Sequence, residues 1–181
     1  MPDDFWNRKR NIIVPSEWVR MKCKSFLGHN HNIHIWPVGI DTNLFSPAPR
    51  EKTIHCLIYF KRGSEEHLQE LIERLNRNNL TYKKIEYGSY TEDDLIAMTN
   101  SARFCVTITR TESQGIAYQE ILSMGLPMYV IDKTVWDDMP DISFPATSAP
   151  YFDDRCGIKH PDLSRFDEFL WLVKANGFSP R

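Results

Sequence analysis

Short apolar segments alternate with helix-length segments along most of the chain, and this alternation constrains the fold more than any other feature of the sequence. Four apolar runs of strand length are separated by segments that can form helices. The predicted strands are Thr53–Phe60, Tyr82–Tyr87, Phe104–Thr109 and Met128–Ile131, and the predicted helices are 64–76, 92–100, 115–124 and 162–176. Such alternation predicts an α/β fold, a Rossmann-like parallel sheet with helices on both faces.

Residues that favour helix ends support these boundaries. Ser64 and Thr91 each precede a predicted helix, and their side chains can accept a hydrogen bond from its first turn. Gly125 follows the third helix and can adopt the left-handed conformation that ends a helix, with Pro127 just beyond it. Three of the four predicted helices of this part of the chain therefore have a residue that favours their start or their end.

The N-terminal part of the chain contains a smaller strand–helix–strand pattern. Ile12–Val14 and Ile33–Val38 are strand-like, and Glu17–Phe26 between them can form a helix. A loop with Pro47 and Pro49 follows and is the best candidate for a linker.

Composition and charge exclude several classes of protein. The formal net charge of the 181-residue chain is −2, which gives no broad basic field for nucleic acid. No apolar run approaches the roughly 20 residues that a membrane span needs, and the polar first ten residues do not form a signal peptide. The four cysteines show no paired spacing. We therefore expect a cytoplasmic protein with reduced thiols.

Ligands of parallel α/β sheets bind at the carboxyl ends of the strands. Lys61 and Arg62 directly follow the first predicted strand of the main sheet, where two cations before a helix suit a diphosphate. The alternative is a solvated pair of cations in a loop. Tyr87 to Tyr90 form a turn after the next strand, where an aromatic ring could flank a base.

The third loop and the helix that follows it carry two carboxylates separated by seven residues, Glu112 and Glu120. Glu112 lies before the helix that begins near Gly115, and Glu120 lies one to two turns inside that helix. The two carboxylates could accept hydrogen bonds from two sets of vicinal hydroxyls, one on a sugar and one on a ribose. Alternatively, Glu112 caps the helix and Glu120 lies on its solvent face. The start of the helix presents the free backbone N–H groups of Ser113, Gln114, Gly115 and Ile116.

Four motifs in order resemble those of GT-B-fold retaining glycosyltransferases, especially the large family 4 group. The segment from Glu112 to Glu120 matches the family's pair of glutamates separated by seven residues, and Gly125 and Pro127 follow as in the family. Ser16-Glu17 after a strand, Gly39-Ile40-Asp41-Thr42 with Phe45-Ser46-Pro47, and the Tyr87–Tyr90 loop match the others. The resemblance spans Ile12 to about Gly157.

The resemblance implies a role for each candidate residue. Lys61 and Arg62 would hold the diphosphate of a nucleoside diphosphate sugar, although the chain lacks the family's Gly-Arg…Lys-Gly pattern there. Glu120 would hold the ribose hydroxyls, Glu112 would lie against the donor sugar as the catalytic residue, and Tyr90 would contact the base. The backbone from Ser113 to Ile116 would lie near the sugar or the phosphate. The family generally needs no metal to bind its donor, so we expect no metal or other cofactor.

The resemblance also implies a division of the chain. Residues 1–46 would be the tail of a missing acceptor domain plus a linker, and residues 47–181 the nucleotide-sugar-binding domain. The expected partners are the donor, an acceptor glycan or other hydroxyl compound, and a separate acceptor domain or subunit. The chain would transfer sugar with retention, with little or no activity alone. The alternative is a non-catalytic module that binds a nucleotide or nucleotide sugar, or serves as an interaction surface, and depends on a separate acceptor subunit.

Overall fold

A computed structural model describes residues 8–27 and 30–180 of the chain. In chain order its elements are β1 (Asn11–Val14), α1 (Glu17–Leu27), β2 (Asn32–Ile35), β3 (Ile54–Lys61), α2 (Glu65–Arg77), β4 (Tyr82–Glu86), α3 (Glu92–Ser101), β5 (Ala102–Thr109), α4 (Ile116–Ser123), β6 (Met128–Ile131), β7 (Val135–Met139), β8 (Ile142–Pro145), β9 (Gly157–His160), a 3₁₀ turn (Leu163–Arg165) and α5 (Phe166–Lys174). None of the described helices is long and apolar enough to cross a membrane.

The centre of the molecule is a five-stranded parallel sheet with the strand order β4–β3–β5–β6–β9. β1 and β2 form a separate parallel pair, and β7 and β8 form an antiparallel hairpin. The four predicted strands of the main sheet are all present, within one or two residues of their predicted ends. The predicted Rossmann-like α/β fold is therefore confirmed.

Both faces of the sheet are covered because the side chains of β3 and β5 alternate between two apolar layers. On one face, Leu57 and Tyr59 belong to a core that α3 and α4 cover. On the other face, Ile58 and Phe60 belong to a core that includes the buried leucines of α2 and the buried phenylalanines of α5. The residues of β3 are buried on both faces, which explains the continuous apolar run in the sequence.

The helix ends follow the predicted residues. The Ser64 side chain accepts a hydrogen bond from the His67 backbone, and Thr91 forms a reciprocal capping box with Asp94. Gly125 has a φ of 76°, in the left-handed region. These three predictions are confirmed.

Three of the described strands, β7, β8 and β9, were not predicted. β9 adds a fifth strand beside β6, and Gly157 at its start is required because a Cβ atom there would lie 1.9 Å from the Met128 carbonyl oxygen. The hairpin β7–β8 occupies the segment between β6 and β9. In addition, β2 ends at Ile35, whereas the predicted strand extends to Val38.

The N-terminal unit, defined as β1, α1 and β2 (residues 11–35), packs against the hairpin. The rings of Phe26 and Phe144 lie 5.5 Å apart, and the Lys22 ammonium lies 3.3 Å from the centre of the Trp136 ring. Phe45, on the N-terminal side of the predicted domain boundary, is buried in the same core as the sheet. The boundary between residues 46 and 47 stays a prediction.

Candidate functional site

A cavity of about 310 Å³ lies at the carboxyl ends of β3 and β4, beside the start of α4. Its volume is at the lower end of the range of about 300–1,000 Å³ that is typical of ligand sites. Its lining includes all the predicted site residues except Arg62, and consists of Tyr59, Lys61, Tyr87, Tyr90, Glu112, Ser113, Gln114, Gly115, Ile116, Ala117, Tyr118 and Glu120. The structure thus brings together residues that are up to 61 positions apart (120 − 59).

Lys61 and Glu112 form an ion pair inside this cavity. The Lys61 ammonium lies 2.8 Å from Glu112 Oε1 and 2.9 Å from Oε2. The exposed fractions of the two side chains are only 22% and 13%. The same ammonium lies 4.3 Å from the centre of the Tyr87 ring, within the range of a cation–π contact. Lys61 therefore links the Glu112 loop to the Tyr87 loop.

Arg62 does not share this cavity with Lys61. Arg62 lies just beyond the last residue of β3 and has a φ of 53°, in the left-handed region, so the backbone turns away from the strand direction there. Arg62 lines a second cavity of about 590 Å³ together with Gly63, Arg110 and Lys133, among others. The structure thus places in different cavities the two cations that the resemblance assigns to one diphosphate.

The backbone of Glu112 is held by two distant parts of the chain. The Trp18 indole Nε1 donates a hydrogen bond to the Glu112 carbonyl oxygen at 2.9 Å. The Glu112 backbone N–H donates to the Thr147 carbonyl oxygen, also at 2.9 Å. Glu112 therefore lies in a loop that is fixed on both sides, with its carboxylate directed to Lys61.

The start of α4 presents backbone donors at the cavity. Gly115 precedes the helix with φ 69° and ψ 48°, and no side chain caps the helix. The backbone N–H groups of Tyr118 and Gln119 donate to the Gly115 carbonyl oxygen. Ile116 and Ala117 therefore have no acceptor within the helix for their own N–H groups, which makes this end of α4 suited to an anion. The proposed alternative role of Glu112 as a helix cap is not observed.

Glu120 lies on the second turn of α4 and is partly buried at the cavity. Burial raises the pKa of the Glu120 carboxyl above its usual value, and the charge of Glu92 raises it further. The position differs from the fully solvated helix face that was the alternative prediction. A hydrogen bond from a ligand hydroxyl would stabilise the charged form of this partly desolvated carboxylate.

Replacing Glu120 with glutamine is expected to stabilise the chain at neutral pH and not in acid. Because burial raises the pKa of Glu120 above its unfolded value, its stabilising contribution is present below the unfolded pKa and is lost as the pH rises through the folded pKa. Glutamine removes that loss. The side chain is partly exposed, so we expect only about 1–2 °C in melting temperature near pH 7 and no gain near pH 4. Melting curves followed by circular dichroism measure both, and an equal gain at the two pH values would contradict the explanation.

Tyrosines form the wall between the cavity and the core. The ring centres of Tyr59 and Tyr118 lie 5.6 Å apart in an edge-to-face arrangement, and Tyr118 Oη donates to Thr109 Oγ1 at 2.6 Å. Tyr90 Oη donates to Tyr59 Oη at 3.4 Å. Tyr59 and Tyr118 were not among the predicted site residues. The signal for Tyr59 was its position two residues before Lys61, on the same side of β3.

Among the described residues, no group of three or more His, Cys, Asp or Glu side chains is arranged to hold a metal ion. The chemistry that the cavity offers is that of one cation, helix-terminal N–H groups, two carboxylates and aromatic rings.

Comparison with known proteins gives a likeness of fold. No family model matches the sequence, and no curated protein matches it. Among solved structures, the chain is similar to sucrose-phosphate synthase from Thermosynechococcus elongatus, with 14% identity, a TM-score of 0.47, and coverage of 66% of this chain and 40% of that chain. The chain thus spans less than half of that solved chain.

Proposed function

We propose that the cavity binds a nucleoside diphosphate sugar and that the chain is the donor-binding part of a retaining glycosyltransferase. The observation that supports this most is the meeting of Lys61, Glu112, Glu120 and the start of α4 in one cavity at the carboxyl edge of a parallel sheet. Together these groups match the diphosphate, the sugar and the nucleoside of such a donor.

The diphosphate would bind between Lys61 and the N-terminus of α4. Both supply positive charge without a metal, and both could stabilise the charge that develops on the diphosphate when it leaves the sugar. A phosphate oxygen at Lys61 would replace the Glu112 carboxylate there. Binding would thereby free Glu112 to accept hydrogen bonds from the sugar hydroxyls.

The nucleoside would lie towards Glu120 and Tyr90. The Glu120 carboxylate has no salt-bridge partner among the described residues, so both of its oxygens are available to the two hydroxyls of a ribose. The neighbouring Tyr90 and Tyr87 rings offer flat apolar surfaces to a base.

Transfer would require an acceptor held against this donor site. In a two-domain transferase the acceptor domain fixes the near-attack geometry, which can supply about 7–11 kcal/mol of the barrier. Transfer would therefore involve a separate acceptor domain or subunit, with a glycan or other hydroxyl compound as the acceptor.

A thermal-shift series tests the binding function. We expect UDP, GDP or dTDP, or one of their glucose conjugates, to raise the melting temperature of the chain. A ligand at about 100 times its Kd stabilises the folded state by about 2.7 kcal/mol, which corresponds to about 5–10 °C for a chain of this size. The nucleosides and inorganic diphosphate at the same concentrations are the controls, and each should give a smaller shift. Absence of a shift for every nucleotide and nucleotide sugar would contradict the proposal.

A further inference from the structure

We propose that Trp18 is a positioning residue for Glu112, so that the N-terminal unit is part of the sugar end of the donor site. This inference rests on the proposed function, in which Glu112 accepts hydrogen bonds from the sugar of a nucleotide sugar. Trp18 is 94 residues away from Glu112 in the sequence, and its indole is the hydrogen-bond donor to the Glu112 carbonyl oxygen, at 2.9 Å.

The contact acts on the residue whose side chain is in the cavity. The Glu112 carbonyl oxygen is held by Trp18, and the Glu112 N–H is held by the Thr147 carbonyl oxygen. With both backbone groups fixed, the direction of the Glu112 side chain is set by only its own rotatable bonds. The carboxylate then meets the Lys61 ammonium with both oxygens within 3 Å.

Trp18 is itself held in place at both ends of α1. Before the helix, Tyr151 Oη donates to the Pro15 carbonyl oxygen at 2.6 Å. Near the other end of the helix Phe26 packs on Phe144, and at its middle Lys22 lies over Trp136. The N-terminal unit therefore contacts the rest of the chain at several points. Trp18 is the residue of this unit whose side chain binds the Glu112 loop.

Glu120 is held differently, since it belongs to the regular helix α4 and is positioned by that helix. Loss of the Trp18 hydrogen bond is therefore expected to disturb the sugar end of the site and to leave the nucleotide end intact. A purely structural role of the Trp18 ring would change both ends together.

The test compares Trp18→Phe with Trp171→Phe by isothermal titration with UDP, UDP-glucose, GDP and GDP-glucose. Phenylalanine keeps most of the ring and removes the indole N–H, and Trp171 is a matched control because it is 66% exposed on α5. We expect Trp18→Phe to keep the Kd of the diphosphate within about twofold and to weaken the glucose conjugate by about three- to tenfold. Trp171→Phe should change neither. The ratio of the two Kd values does not depend on the folded fraction of the variant.

Equal weakening of the diphosphate and its conjugate, or no weakening of either, would overturn the inference. If the wild type binds none of these ligands, the proposed function fails, and the positioning contact is then judged without ligand. The ¹⁵N-indole resonance of Trp18 should shift on Glu112→Gln, whereas that of Trp171 should stay unchanged. A Trp18 resonance that does not move would overturn the inference on its own. This measurement also decides the matter if Trp18→Phe fails to fold.

Discussion

Replacement of Glu120 with alanine is expected to weaken the binding of a nucleoside diphosphate at least about 100-fold and to leave the chain folded. Hydrogen bonds to a charged group are worth about 1.5–3 kcal/mol each. A carboxylate that accepts from both ribose hydroxyls therefore supplies about 3–6 kcal/mol, or roughly 10²–10⁴-fold in Kd. Isothermal titration with UDP and GDP measures the loss, and circular dichroism confirms the fold.

Glu92→Ala is the matched control for this experiment. Glu92 lies at the start of α3 and contributes to the raised pKa of Glu120, but it does not line the cavity. Its removal takes away one negative charge near the site, so we expect binding within about threefold of the wild type. A Glu120→Ala variant that binds like the wild type would show that Glu120 does not contact the ligand.

The main strands and helices were predictable because their signals are local. β3 and β5 are rich in apolar residues at successive positions, which is typical of strands that are buried on both faces of a sheet. The caps at Ser64 and Thr91 are likewise set by a side chain and the turn next to it. Local sequence therefore determined the elements and, through their alternation, the parallel sheet.

The elements that were missed lack such signals. β9 is four residues long and depends on the close approach of Gly157 to Met128, a contact across 29 residues (157 − 128). The hairpin β7–β8 has mostly exposed residues on β7, and its aromatic side chains pack against the N-terminal unit rather than against the main sheet. Neither arrangement can be recognised from a window of a few residues.

The site was predictable to the extent that it follows from the sheet and from the resemblance to glycosyltransferases. Because Lys61, Glu112 and Glu120 all lie at the carboxyl edge or beside it, their meeting followed from the fold. The different position of Arg62, which lies beyond the end of β3 with a φ of 53°, could not have been expected from the local sequence. The contact of Trp18 with Glu112 could not, since it depends on how the N-terminal unit docks.

Lys61 and Arg62 are expected to contribute very differently to the binding of a diphosphate. Lys61→Ala should weaken the binding of UDP or GDP by about 30- to 1,000-fold, whereas Arg62→Ala should change it by less than about threefold. The Lys61 ammonium lies in the candidate cavity, and its charged hydrogen bonds to a diphosphate are worth about 2–4 kcal/mol in total. Arg62 lines the other cavity. Titration with each diphosphate and with its nucleoside measures both effects, and the nucleoside should lose much less than the diphosphate in Lys61→Ala.

Part of the loss in Lys61→Ala should come from Glu112. In this variant the Glu112 carboxylate has lost its ion-pair partner Lys61. Its negative charge would then repel the incoming phosphate. The double variant Lys61→Ala/Glu112→Gln removes that repulsion and is expected to bind the diphosphate more tightly than Lys61→Ala. The effects of substitutions at two residues in contact are in general not additive. An equal loss in Lys61→Ala and Arg62→Ala would instead mean that both cations reach the diphosphate. Arg62 would then have to turn from the second cavity towards Lys61, where the resemblance to glycosyltransferases places it.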